Sequence, residues 1–537
     1  MLISHQRYDR KLLISSATVI LAILFLGIGI PESFAAAATW LSHHIELYLG
    51  NWFILIVCSL MILYFAVAFS RYGKLKLGRA EDTKEFSNFS WFAMLFSCGI
   101  GVGFLFWGIA EPMTHFMVES PHNPFPTGDP SGYSSAMKIA IFHWGIQGWV
   151  GYMALGVPIG YFAYRYGLPI TTSTALYGLF GVKLKGGWEF VSELLSIFAT
   201  VLGVATTIGM GLMSMSYGIS KVLHVEVTNT LLVILMLVLV GCYMASAASG
   251  VERGVKRLSD LNIFLCIALM LFILFMGPTR FQLNLMLETT GQYLGDFLAM
   301  SFYTGASGEY ESWVGAWTVF YWCWFLSWGP FVGGFIARIS KGRSLRQYIL
   351  GSILLPTAFT LVWFCVLGGT SMYSDVNGIT EIWPALEQNL GAGAFVLLDS
   401  FPFTTFLSIV ILVSLNLFLI TTADSASILC AMMVCRTNRE PSVFMRCFWA
   451  LLIGSVGLVL LIAGGLESVQ TSCIVAAVPL SFIVILANLS FIRGLHRYEF
   501  RDGNDGKQTP YEQYSQIRDD VTVLLGSEER EVRVKKS

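Results

Sequence analysis

Apolar residues in this 537-residue chain fall into long unbroken runs separated by short polar connections. Twelve such runs stand out, at about 12–31, 51–70, 88–110, 136–164, 190–219, 229–247, 258–277, 313–337, 347–368, 403–434, 444–464 and 472–492. Runs of this length predict helices that cross a bilayer, since only a helix or a closed barrel satisfies its backbone in lipid. The runs do not alternate with period two, which excludes a barrel. The first run is too long for a cleavable leader and lacks its small-residue end, so it is expected to stay as a span.

Charge tests the count. With the N-terminus inside, 21 of the 33 Lys and Arg fall on the cytoplasmic side, only Lys138, Lys221 and Arg280 lie outside, and nine are in the tail. That asymmetry is the positive-inside signature and places both termini in the cytoplasm. Two external stretches, about Thr279 to Tyr303 and Thr380 to Ser400, are expected to be amphipathic and to lie on the surface. The tail from Arg493 is polar, either solvated or regulatory.

Composition agrees. Hydrophobic residues are 55% and charged residues 12% of the chain, against about 25% charged in soluble domains. A net charge of −1 points to no nucleic-acid partner. The ten cysteines form no CxxC pair, so neither a zinc site nor a disulfide framework is implied. There is no HExxH, GxSxG or phosphate loop, which argues against an enzyme.

Two spans carry helix-weakening residues. Span three holds Gly99, Gly101 and Gly103 within CGIGVGFLFWGIAEP, and span eight holds Gly329-Pro330 within FYWCWFLSWGPF. Each alone is explained by helix packing or an ordinary kink. They are five spans apart, however. If spans three to seven and eight to twelve are inverted repeats, they are corresponding helices, the pattern that marks a midplane substrate site. The second stretch is also rich in rings. On a helix Tyr321, Trp324, Phe325 and Trp328 form one stripe, and span four offers Trp144, Trp149 and Tyr152. Aromatic faces suit a trimethylammonium head, which has no N–H to donate; lipid-facing filler is the plainer alternative.

At this point the chain resembles the betaine/choline/carnitine transporter family. The resemblance rests on WTVFYWCWFLSWGPFVGGFIARISKGRS (Trp317 to Ser344), GIGVGFLFWGIAEP, FHWGIQGWVGY and TTADSAS (Thr421 to Ser427), and extends from about Phe86 to Arg497. It implies an all-α polytopic membrane protein with twelve transmembrane helices and a leucine-transporter-like core of five plus five inverted repeats in spans three to twelve. The expected division is 1–85 with two peripheral spans, 86–277 as first repeat, 278–312 as an external linker helix, 313–492 as second repeat, and 493–537 as a cytoplasmic tail. A homotrimer in a bacterial cytoplasmic membrane and secondary transport of quaternary ammonium osmolytes are implied as well.

By resemblance, substrate would meet Trp144, Trp149, Tyr152, Tyr321, Trp324, Phe325 and Trp328, beside Gly101 and Gly103. Phe325 stands where the family typically has Trp, so a differently shaped head group, including a sulfonium, stays open. Glycine at 103 leans toward zwitterions over choline. Sodium would be the coupling ion, held by Thr421, Thr422 and the carbonyls of Phe418, Ser97 and Ile100; the threonines could instead bond back to their own helix. A second family sodium site lacks a hydroxyl here, with Thr200 but Val204. Asn262 stands where ion-independent exchangers carry arginine, which favours a coupled symporter. No cofactor beyond that ion is expected, and lipid is the other partner.

Ionisable residues inside spans are functional candidates by default. Glu111 and Asp260 are expected to make local helix-end hydrogen bonds, while a proton-coupled mechanism would use His143 or Asp424. The expected function is thus import of a glycine betaine- or carnitine-type zwitterion by sodium symport. Proton-coupled choline or sulfonium uptake, exchange, and a channel or osmosensor remain the alternatives.

Overall fold

The computed structural model describes residues 8–79, 81–99, 101–181, 187–248, 252–435 and 441–499. Ile100 and the tail beyond Glu499 lie outside these residues. Among the described residues the regular structure is helical, with no strand beyond two isolated bridges. In chain order the helices are α1 (Arg10–Gly29), α2 (Pro31–Phe69), α3 (Asn88–Gly99), α4 (Val102–Met117), α5 (Tyr133–Trp144), α6 (Ile146–Tyr166) and α7 (Tyr177–Phe180). They continue as α8 (Gly187–Leu223), α9 (Asn229–Ala248), α10 (Glu252–Met276), α11 (Thr279–Ser301), α12 (Glu311–Val314), α13 (Phe320–Trp328) and α14 (Gly334–Arg338). The last are α15 (Leu345–Val376), α16 (Ile382–Gln388), α17 (Gly393–Leu397), α18 (Thr404–Cys435) and α19 (Val443–Glu499).

Among the described residues eight helices are long and apolar enough to cross a membrane. This number is lower than the count of apolar runs for three visible reasons, one being that the sixth run, α9, falls among the shorter apolar helices. The third and fourth runs are each split into two helices at a glycine, and α19 joins the last two runs through non-helical backbone at Gly464 and Gly465. The outer surface is apolar: Phe25, Ile28, Leu55, Ile62, Leu237, Phe264, Phe275 and Phe406 are all exposed. Such a surface belongs in lipid, where it loses nothing by not meeting water. The polar residues are turned inward instead.

The stretch 279–301 shows the same inversion. It is one helix, as its sequence predicts. Its exposed face is a row of leucines, Leu283, Leu287, Leu294 and Leu298, while Gln282, Thr289 and Tyr293 are buried. Gln282 donates to Thr370 Oγ1 at 2.6 Å, and Tyr293 donates to Gln147 at 3.0 Å. The stretch 380–400 departs from expectation. It is four short helical pieces, and Leu386, Phe395, Leu397 and Leu398 are buried. The reason is local. Asp375 accepts from the backbone of Ile382 and Trp383, and Lys221 holds the Phe395 carbonyl and Asp399, which draws the segment down onto α8.

At the basic end, residues 75–77 pair with 342–345 through short backbone contacts, including Gly342 N–H to Leu77 O at 2.7 Å. Gly342 is in the left-handed region at φ +78, and a side chain there would collide with the Thr83 carbonyl. Arg343 then donates to the Phe86 and Ser87 carbonyls and to Asn88, and lies 4.1 Å over the Trp91 ring. The Lys-Gly-Arg-Ser segment after α14 is therefore a clasp on the start of α3.

Asp424 of α18 accepts from Arg446 of α19 at 3.1 Å, with both side chains nearly buried. Removing one member of such a pair leaves an uncompensated charge, at about 3–5 kcal/mol. Arg446→Met is therefore expected to lower the melting temperature of the detergent-purified protein, and Asp424→Asn added to it to restore most of the loss. Thermal unfolding followed by tryptophan fluorescence measures both; an additive double variant would contradict the pairing.

Candidate functional site

The site forms where three helices are locally irregular. The first irregularity lies between α3 and α4. The helix stops at Gly99 and restarts at Val102, with Gly101 extended at φ −130 and ψ −153. A Cβ on Gly101 would meet nothing within 4 Å, so the backbone here borders open space. A Cβ on Gly103 would lie 2.6 Å from the Trp144 ring and 3.2 Å from that of Trp324. Glycine at 103 lets two indoles close over the backbone.

The second irregularity was not legible as such. The fourth apolar run is two helices, with the chain turning at Gly145 (φ −92, ψ −135) directly after Trp144. Trp144 therefore ends a helix instead of sitting inside one. A Cβ at Gly145 would strike the Ile141 carbonyl, so the turn needs glycine.

The third irregularity differs from the expected break. Gly329-Pro330 does not interrupt its helix, since helical structure runs from Glu311 to Arg338. Two π-helical turns, Gly315–Val319 and Gly329–Gly333, bracket α13. Proline lacks the N–H of a normal turn, and the wider π turn absorbs that loss without ending the helix. Gly333 lies so close to α6 that a Cβ would come within 2.6 Å of Gly156 N, so the widened turn is seated on a backbone of small residues.

These breaks bring the predicted rings together. Trp144 makes edge-to-face contacts with Tyr321, Trp324 and Phe325 at centroid distances of 5.5, 5.6 and 5.4 Å. Tyr152 meets Phe325 at 4.8 Å and Trp328 at 6.0 Å, and Trp149 joins through Tyr152 at 5.3 Å. All seven rings are at most 4% exposed, so the group is closed to solvent in this conformation. Phe325 sits centrally, with its side chain against the Cα positions of Gly148 and Gly151. The indole N–H groups of Trp322, Trp324 and Trp328 are buried without a partner inside the protein.

Glu111 has a larger role than the helix-end hydrogen bonds expected of it. Its side chain is fully buried, and Oε2 accepts from Trp144 Nε1 at 2.8 Å and from the Tyr321 hydroxyl. Oε1 meets His143 Nδ1 at 2.6 Å, and His143 Nε2 lies 3.1 Å from Thr318 Oγ1. His115, one turn along α4, places Nε2 3.5 Å from the same oxygen, without hydrogen-bond alignment. Sequence reasoning missed His115; the i, i+4 spacing from Glu111 was the available signal.

Of the expected sodium ligands, Thr421, Thr422 and Phe418 stand together on α18. Thr421 Oγ1 donates back to the Leu417 and Phe418 carbonyls at 2.9 and 3.1 Å, and Thr422 is half-buried beside it. The Ser97 side chain and Ile100 lie outside what is described. Thr200 Oγ1 is buried without a partner, one turn from Val204, and Asn262 is buried with Oδ1 likewise unpartnered. Asp424 is occupied by Arg446, and Asp260 is exposed.

The sequence profile of the betaine/carnitine/choline family transporters matches residues 11–500. The chain belongs to this family. An ectoine/hydroxyectoine transporter of Virgibacillus pantothenticus is 35% identical over 500 residues, 91% of this chain and 97% of the relative. A glycine betaine transporter of Acinetobacter baylyi is 35% identical over 485 residues, 89% of this chain and 72% of its own. A high-affinity choline transport protein of Escherichia coli is 33% identical over 463 residues, 86% of this chain and 68% of its own. The homologues of this family member are transporters, not enzymes, and its apolar helices make it an integral membrane protein.

The crowding at Gly103 is directly testable. Gly103→Ala is expected to lose about 1–3 kcal/mol through overpacking against Trp144 and Trp324. Thermal unfolding of the purified variant reads this, and Trp324→Phe in the same chain should relieve part of the loss.

Proposed function

We propose that this family member imports a quaternary ammonium zwitterion of the glycine betaine or carnitine type by sodium symport with alternating access. The observation that carries this reading is the ring group of Trp144, Tyr152, Tyr321, Trp324, Phe325 and Trp328, closed around irregular backbone. Such rings hold a permanent cation at about 0.5–2 kcal/mol each. Unpartnered N–H groups on Trp324 and Trp328 are donors that a carboxylate tail would satisfy. Glycine at 103, with no acid in its place, is consistent with a substrate that brings its own negative charge. An uncharged Asn262 supports ion coupling, with Thr421, Thr422 and the Phe418 carbonyl as sodium ligands after the Thr421 hydroxyl turns from its own helix.

The architecture that goes with this reading has twelve spans, an inverted repeat relating spans three to seven with eight to twelve, and both termini in the cytoplasm of a bacterial cell. A homotrimer would cover the exposed leucine row of α11.

Purified protein in liposomes, given labelled glycine betaine with and without a sodium gradient, tests the proposal. Saturable uptake that collapses without sodium is expected, with carnitine, choline and dimethylsulfoniopropionate as competitors that rank the head groups. Uptake indifferent to sodium but abolished by a protonophore would move the coupling to protons. Flux without counterflow would replace the carrier by a channel. Trp324→Leu and Trp328→Leu should each weaken betaine binding roughly twofold to thirtyfold. Near-normal affinity in both would remove the cage.

A further inference from the structure

We infer that Glu111, His115 and His143 form a binding site for a late first-row divalent cation of the zinc class, directly behind the aromatic cage. One ligand atom from each residue lies within 4.8 Å of the others, and all three side chains are buried. Glu111 and His115 share a face of α4 one turn apart, and His143 is the penultimate residue of α5. Tetrahedral zinc with bonds of about 2.0–2.2 Å separates its ligand atoms by roughly 3.3–3.5 Å. The His115–Glu111 separation of 3.5 Å already matches this. The His143–Glu111 contact of 2.6 Å is a hydrogen bond that opens as the metal displaces its proton.

Two further features favour a ligand set over a plain hydrogen-bond network. His115 Nε2 is buried with no hydrogen-bond partner, which costs free energy unless something occupies it. The surrounding contacts are also those of a supported metal site. Thr318 Oγ1 lies 3.1 Å from His143 Nε2, so a proton there leaves Nδ1 free to coordinate. Trp144 and Tyr321 occupy Oε2 of Glu111 and leave Oε1 for the ion. Two imidazoles and one carboxylate suit zinc, nickel or copper, while sodium, magnesium and calcium prefer oxygen alone.

A surface cavity lies on the other side of Trp313 from the cluster. Glu119, Glu309, Tyr310, Ser312, Trp313 and Ala316 line a surface cavity of about 460 Å³ with two carboxylates among them. Trp313 is its shared wall with the cluster, its ring 5.5 Å from that of His115 and 6.0 Å from that of His143. Occupancy places two positive charges one carboxylate away from Trp144 and Tyr321, which opposes a cationic head group in the cage. That consequence rests on the transport proposal; the binding itself does not.

The test uses full-length purified protein stripped with chelator and titrated with Co²⁺. One equivalent per chain is expected, with the intense visible absorption of tetrahedral cobalt, displaced by Zn²⁺. His115→Gln and His143→Gln should each weaken binding at least tenfold, and His115→Cys should restore it, since a thiolate also ligates zinc. In liposomes, micromolar Zn²⁺ should inhibit betaine uptake by the parent, and His115→Gln should take up betaine with at least tenfold less zinc sensitivity. Absence of the cobalt spectrum, or unchanged binding in both glutamine variants, overturns the site. Cobalt bound without any betaine uptake would count against the transport proposal and leave the site standing. Should His115→Gln fail to fold, Thr318→Val decides, with an expected tenfold or greater loss of affinity.

Discussion

A single buried carboxylate organises the centre of this protein. Glu111 lies where no water reaches it, so its oxygens must be satisfied by the protein. They are, by groups from two other helices: His143 and Trp144 of α5 and Tyr321 of α13. Each of these bonds also fixes a ring. The cage is therefore held by polar contacts at its outer edge and by edge-to-face packing inside, which gives the rings orientation as well as proximity.

The glycines make this arrangement reachable. A Cβ at these helix positions would crowd the rings. Gly103 admits Trp144 and Trp324, and Gly148 and Gly151 admit Phe325. The turn at Gly145 frees Trp144 from the helical repeat, and the π turns on either side of α13 offset its stripe from the residues before and after it. Phe325, the departure from the family pattern, lies at the middle of the rings and against α6. On the proposed function, this is the position where head-group size would be discriminated.

Much of this was legible in the chain. The length of the apolar runs, the charge asymmetry and the motif from Trp317 to Ser344 identified a helical membrane transporter and named the ring residues that meet. The glycine break before α4 was also visible, because alternating glycines weaken a helix whatever surrounds them. The break at Gly145 was not, because a lone glycine in an apolar run is equally at home in helix packing. The Gly-Pro pair in span eight signalled irregularity but not its kind; only the folded backbone shows a widened π turn in place of a break, with Gly333 seated on Gly156. The segment 380–400 looked superficial because its contacts to Lys221 and Asp375 come from distant parts of the chain.

What the sequence determined by itself follows from local and bulk physics. Lipid demands helices. Rings at helical spacing share a face. What only the tertiary structure decided are pairings between remote residues. Asp424 could have been a proton carrier, but Arg446 neutralises it. Glu111 was expected to make local helix-end hydrogen bonds, but Trp144, Tyr321 and His143 converge on it. A side chain's role in a low-dielectric interior is set by which charges and donors reach it, and one-dimensional spacing carries that information only within a turn or two of the same helix.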